Sequence, residues 1–239
     1  MEREELERLI NEQEGALSLA FPALMRKVYV WMTLALVITA VTAYGVATSP
    51  SLLGMIYSSK IVLFGLFFAE LALVFIINGA INRLSLTTAT LLFILYSVLN
   101  GALLSSIFVV FSPMVITKTF FITAGTFGVM AAYGYFTKTD LTSIGKLLFM
   151  GLIGLILATI VNLIFLKSSN FDLILSYIGV AIFVGLTAWD SQKIKQMLAM
   201  QTNMNEGAQK VALLGALSLY LDFVNLFLYL LRIFGRSND

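Results

Sequence analysis

Cysteine and histidine are both absent from the 239 residues, proline occurs three times, and charged residues make up only 12% of the chain. Each scarcity removes a class of function. Without cysteine there is no disulfide, thiol nucleophile or iron–sulfur cluster, and without histidine the usual zinc and haem ligands are gone as well. Histidine is also the side chain that ordinarily titrates near neutral pH, so any pH response in that range falls to a carboxylate in an unusual setting. The charged fraction is about half the roughly 25% of a soluble domain, and a net charge of +2 offers little to nucleic acid. Gly-x-Ser-x-Gly, His-Glu-x-x-His and P-loop motifs are missing. No lysine lies between Val211 and Arg232 to hold retinal. Intramembrane aspartyl proteases set their second aspartate in Gly-x-Gly-Asp, whereas the corresponding stretch here reads Leu219-Tyr220-Leu221-Asp222. The chain therefore reads as a non-enzyme without a resident cofactor.

What fills the sequence is hydrocarbon: 59% hydrophobic residues and a mean hydropathy of +0.95. Seven apolar runs, at 28–48, 61–81, 86–111, 115–136, 146–166, 172–190 and 211–234, approach or exceed the roughly 20 helical residues that cross a bilayer. They lack the period-two alternation of a barrel, which leaves helices as the spanning form. The expected fold class is an all-α integral membrane protein with seven transmembrane helices and short connections. Residues 1–27 read as a cytoplasmic N-terminal arm, 28–235 as the transmembrane domain and 236–239 as a C-terminal tail. The arm opens Glu2-Arg3-Glu4-Glu5, unlike a signal peptide, and Glu4 and Arg8 have the spacing of a helical ion pair.

Orientation follows from lysine and arginine in the connections. Arg3, Arg8, Arg26, Lys27, Arg83, Lys138, Lys146, Lys193, Lys195 and Lys210 gather on one face, against Lys60, Lys118, Lys167, Arg232 and Arg236 on the other. The N-terminus is expected in the cytoplasm and, with seven spans, the C-terminus outside. A re-entrant last segment is the alternative. Within the spans, Ala124, Gly128 and Ala132 form a small-residue stripe suited to close helix approach, and Asn100, Asn162 and Asn225 suit interhelical hydrogen bonds. Ser191 to Met200, with Ile194, Met197 and Leu198 on one face, reads as an amphipathic continuation at or beyond the interface.

The chemistry concentrates in the last third. Asp190 and Asp222 each sit in apolar surroundings, on two arms flanking the polar turn Asn203-Met204-Asn205-Glu206-Gly207. If the chain reverses there, each aspartate lies about 24 Å along its arm, at about 1.5 Å per residue. Ionisable residues inside a membrane mark function by default. Two carboxylates within about 4 Å repel by about 4 kcal/mol at an effective dielectric of 20, so such a pair holds one proton between them and titrates as a unit. It can sense pH and, when ionised, offer hard oxygen ligands to Ca²⁺. The alternative is that each aspartate separately hydrogen-bonds a helix end or lies at the interface. Glu70, midway along the second helix, is a further cation ligand or proton carrier, or else is hydrogen-bonded to a neighbour such as Asn78. Arg83 ends that helix on the cytoplasmic side, either as a latch for an ionised aspartate or as a positive-inside anchor.

The run Ala216-Leu217-Ser218-Leu219-Tyr220-Leu221-Asp222-Phe223-Val224-Asn225-Leu226-Phe227-Leu228, ending in Leu231-Arg232-Ile233-Phe234-Gly235, resembles the last helix of the Bax-inhibitor family, nearest its bacterial YccA-like branch. Thr187-Ala188-Trp189-Asp190-Ser191-Gln192-Lys193-Ile194 resembles the family's sixth-helix motif, and Gly134-Tyr135-Phe136-Thr137-Lys138-Thr139-Asp140-Leu141 its fourth connection. The resemblance implies a bundle with the seventh helix central. It implies a proton-responsive Ca²⁺ leak governed by two aspartates, which map onto Asp190 and Asp222, with Glu70 as the second-helix acid and Arg83 as the candidate for a cytoplasmic-side latch. The expected function is thus a pH-sensitive calcium leak channel gated by the aspartate pair, its partners being Ca²⁺ and the lipid bilayer. The alternative is a non-conducting regulator of a membrane-bound protease of the FtsH type. The expected location is the bacterial cytoplasmic membrane.

Overall fold

The computed structural model describes residues 2–201 and 203–236, with side chains from Ala20 onward. The side chains of Glu4 and Arg8 and the tail residues 237–239 lie outside the described residues. Helices account for nearly all of the rest, and no strand occurs among the described residues. The helices are α1 (Glu2–Ala47), α2 (Pro50–Tyr57), α3 (Lys60–Ala80), α4 (Leu86–Leu104), α5 (Ile107–Val110), α6 (Pro113–Phe136), α7 (Thr142–Val161), α8 (Ser169–Ala199) and α9 (Glu206–Arg236). Seven segments are long and apolar enough to cross a membrane: Ala20–Ala47, Lys60–Ala80, Leu86–Val110, Pro113–Phe136, Thr142–Leu166, Ser169–Ala199 and Glu206–Arg236. This is an all-α integral membrane protein that crosses the bilayer seven times.

Serine punctuates the chain. Ser49, Ser59, Ser85 and Ser112 precede α2, α3, α4 and α6, and each side chain accepts a hydrogen bond from a backbone N–H in the first turn. Pro50 and Pro113 follow two of these caps, where a missing N–H does no harm. The arm expected over 1–27 is continuous in backbone with the first span, as one helix from Glu2 to Ala47 with Pro22 inside it. At the end of α7 the chain widens into a π-turn, Asn162–Leu166, closed by Lys167 in the left-handed region at φ 47°. The Asn162 side chain accepts from Ser168 N–H and donates to its carbonyl, so this amide caps its own segment. Asn225 likewise donates to Leu221 on its own helix. Of the three amides expected to bridge helices, Asn100 does so.

The chain forms two compact units. The first comprises Met1–Ser106 and Ile194–Leu217. In it the Thr39 hydroxyl donates to the Ser97 carbonyl at 3.0 Å, and the Tyr57 hydroxyl to the Leu103 carbonyl at 2.7 Å. Lys27 Nζ donates to Gln209 at 2.6 Å, and Glu206 accepts from the Leu86 N–H at 2.8 Å. The end of α8 also lies here. Ile194 and Leu198 are buried, and Ile194 packs on Gly215 of α9. The apolar face of the expected amphipathic continuation, Ile194 and Leu198, is buried in this packing.

The second unit comprises Ile107–Lys193 and Ser218–Asp239. Val115 of α6 packs with Phe227 and Leu231 of α9. Phe223 sits edge-on to Phe120 at 5.8 Å and to Phe127 at 5.4 Å; later residues of α6 thus meet earlier residues of α9 than Val115 does, and the two helices run antiparallel. The buried stripe of α6 is Val115, Thr119, Thr123, Phe127, Ala131 and Gly134. Gly128 and Ala132 of the expected small-residue stripe are exposed, and a Cβ on Gly128 would meet nothing. Hydrophobicity cannot choose between these faces, because lipid accepts small apolar residues while Thr119 and Thr123 must turn inward. The close approach occurs at Gly134, where a Cβ would run into the Ala188 backbone, and at Gly145, where it would run into the Trp189 ring. Helix α9 is continuous across about 46 Å, at about 1.5 Å per residue, and two-thirds of its apolar window is buried, the largest share among the seven spans. Arg236 donates to Ser169 and Asn170 at the start of α8. The last helix is therefore long and apolar enough to cross in one piece, and it has no break at which a re-entrant segment would turn back.

Candidate acidic site

Asp190 is set by its neighbours on α8. Ser191 donates to the Ala131 carbonyl of α6 at 2.8 Å. Gln192 clamps the connection before α7, donating to the Thr139 carbonyl at 2.8 Å and accepting from the Leu141 N–H at 2.9 Å. Trp189 fills the notch left by Gly145, and Lys193 lies over the Trp189 ring at 5.0 Å from its centroid. Residues on both sides of Asp190 are thus held in place, and its carboxyl is half-buried between them. Beside the clamp, the Thr142 hydroxyl and N–H hold the exposed Asp140 carboxyl below its usual range, with Lys146 adding to the effect.

Asp222 is buried, with 5% of its surface exposed, and its Oδ2 has no hydrogen-bond partner. The Asp190 carboxylate is within electrostatic reach of it, and Lys193 is the cation that acts on Asp190. Both aspartates thus lie in the second unit with their charges within reach of one another, though their places on the two arms lack the symmetry expected. Helix α9 already begins at Glu206, behind Asn205, whose side chain accepts from the Ala208 N–H. Asp222 lies about 24 Å from the start of its helix and Asp190 about 14 Å from the end of its own, at about 1.5 Å per residue. The six-residue connection takes up the difference, since extended chain advances about 3.3 Å per residue.

Glu70 lies in the first unit, half-buried on α3, where it accepts hydrogen bonds from Asn100 and from Tyr96 of α4. Asn78 does not serve it; its side chain donates to Val74 on its own helix. Arg83 is exposed in the turn after α3 and makes no ion pair among the described residues. The same residues contain no group of three or more acidic side chains arranged to hold a metal ion. The sequence reading missed Gln192 and Thr119. Gln192 lay inside a quoted motif without an assigned role, and Thr119 looks like any other threonine in an apolar run.

Seven spanning helices and a carboxyl buried at helix mid-length define a polytopic membrane protein with an intramembrane acidic site. The chain matches the family model described as "Inhibitor of apoptosis-promoting Bax1" over residues 22–239. It is 49% identical over 213 residues to the inner membrane protein YbhL of Escherichia coli K12, covering 89% of this chain and 91% of that one. Proteins of Borreliella burgdorferi and Rickettsia prowazekii are 45% and 43% identical, each over 90% of this chain. The chain belongs to the Bax inhibitor family, as its last helix had indicated.

Proposed function

We propose that this protein is a pH-sensitive Ca²⁺ leak of the cytoplasmic membrane, with Asp190 and Asp222 as its gate and proton sensor. The observation that carries the reading is the Asp222 carboxyl, buried within a spanning helix, one oxygen unpartnered, and within electrostatic reach of Asp190. A protein that served only as a scaffold would gain nothing from this arrangement, because an unpartnered buried polar group costs about 1–3 kcal/mol. The pair offers ionised oxygens to Ca²⁺ when deprotonated and loses them on protonation. In the ionised state a nearby cation stabilises the closed arrangement, and Arg83 is our candidate latch. Glu70 contributes a carboxylate on the ion path. The N-terminus is cytoplasmic, following the basic connections. The name of the E. coli relative agrees with an inner-membrane setting.

The test is Ca²⁺ entry into dye-loaded proteoliposomes containing the purified protein. Wild type should pass Ca²⁺ with a rate that depends on pH, and Asp190→Asn and Asp222→Asn should each flatten that dependence. No flux at any pH would sink the channel reading and leave a regulator of a membrane protease in its place.

A further inference from the structure

Among the described residues, two buried side-chain polar atoms have no hydrogen-bond partner: Asp222 Oδ2 and the Thr119 hydroxyl. The contrast with other buried hydroxyls is sharp. Ser97, Thr123, Ser176, Thr187 and Ser191 each donate to a backbone carbonyl. Thr119 is fully buried, yet its own carbonyl is the one that Thr123 uses. Hydroxyls and carboxyls removed from water ordinarily find a partner, and buried water is the common one when protein supplies none.

The placement of the two atoms is informative. A cavity of about 550 Å³ opens at the end of the second unit, lined by Ser112 and Val115 of the α6 end, Ser169 and Asp172 of α8, and Arg232 and Arg236 of α9. Thr119 lies one helical turn deeper on α6 than Val115. The contacts of Phe223 with Phe120 and Phe127, and of Val115 with Phe227 and Leu231, fix the α6–α9 register. In that register Thr119 lies about one turn, roughly 6 Å, on the cavity side of Asp222. Going inward from the cavity come the apolar cluster of Val115, Phe227 and Leu231, with Ile107, Phe111, Ile116, Leu228 and Phe234 packed against it, then the level of the Thr119 hydroxyl, and then that of the Asp222 carboxyl.

We infer that water enters from this cavity, crosses the apolar cluster, and reaches Asp222 by way of the Thr119 hydroxyl. The route suits water and protons better than a metal cation, because the mouth carries two arginines against one aspartate, Asp172 at 3.9 Å from Arg232. The charged groups near the Asp222 end of the route are Asp190 and, through it, Lys193; the α6 stripe supplies none. The inference rests on the proposed role of Asp222 and adds a direction to it: the pH that the pair senses is that of the face bearing Ser112 and Ser169.

The experiment does not depend on ion flux. The native chain has no cysteine, so single cysteines report cleanly. Thr119→Cys should react with a small, charged, membrane-impermeant thiol reagent added on the Ser112 face, and far more slowly from the opposite face. Phe121→Cys, at a position 69% exposed on the outer face of the same helix, should stay unreactive. In a second pair, Asp222→Cys should be labelled from the Ser112 face about tenfold more slowly once Thr119→Val removes one hydrogen-bonding site along the route. Failure of Thr119→Cys to react from either face, its reaction only from the opposite one, or an Asp222→Cys rate indifferent to Thr119→Val would overturn the inference. Labelling as expected in a protein that passes no Ca²⁺ would uphold the route and sink the channel.

Discussion

Asp190 and Asp222 illustrate what a buried charge in an apolar helix reveals and what it conceals. Their rarity in hydrocarbon made both legible as candidates, because few uses justify an acid there. The matched distances to the turn are not kept, because α9 already begins at Glu206 after a six-residue connection, yet both aspartates lie in the second unit with their charges within reach of one another. If they act as one unit, the flux changes in Asp190→Asn and Asp222→Asn should be strongly non-additive in the double variant. Additive changes would mean the carboxyls work apart. For the latch, Arg83→Ala should raise Ca²⁺ leak at alkaline pH and leave acid-pH leak nearly unchanged, with Arg83→Lys rescuing only in part, since lysine lacks the planar fork that grips a carboxylate. Lys193 is the rival cation, as the group that acts on Asp190. If Lys193→Ala reproduces the alkaline leak while Arg83→Ala matches wild type, the latch belongs to α8.

At the scale of the helix, existence and order were legible and the choice of inward face was not. The runs at 61–81 and 115–136 nearly coincide with α3 and α6, because length and hydropathy suffice to find a span. Which side turns inward depends on hydroxyls and close backbone approach, and these differ little from lipid-facing residues in hydropathy. The stripe at Ala124, Gly128 and Ala132 was plausible by spacing, yet the intimate contact is Gly134 on Ala188. Gly134→Val should therefore separate α6 from α8, break the 2.8 Å hydrogen bond between Ser191 and Ala131, and lower the thermal midpoint of the detergent-solubilised protein. Gly128→Val, facing open space, should leave it near wild type. Equal midpoints for the two variants would show that the close contact does not bear on stability.

For the whole molecule, the seven-span plan was readable from composition alone, and the family from a few residues of the last helix. The division of contacts into two units was not, since it depends on where α8 and α9 pass from one unit to the other. Helix α9 is the most buried of the seven spans and follows the other six in order of translation. Until it emerges from the ribosome, Val115, Phe120 and Phe127 lack the aromatic and aliphatic partners that it brings. Six inserted spans without it present Thr119 and Thr123 to lipid or to quality-control proteases. A chain ended after Asn205 should thus be made and inserted at a normal rate but disappear quickly in a pulse-chase, whereas one ended after Arg236 should persist. Equal lifetimes would mean that the first six spans mature independently. Rapid loss would mean that survival of the six earlier spans hangs on the arrival of the seventh, and that a ribosome stalled before it leaves a product for degradation.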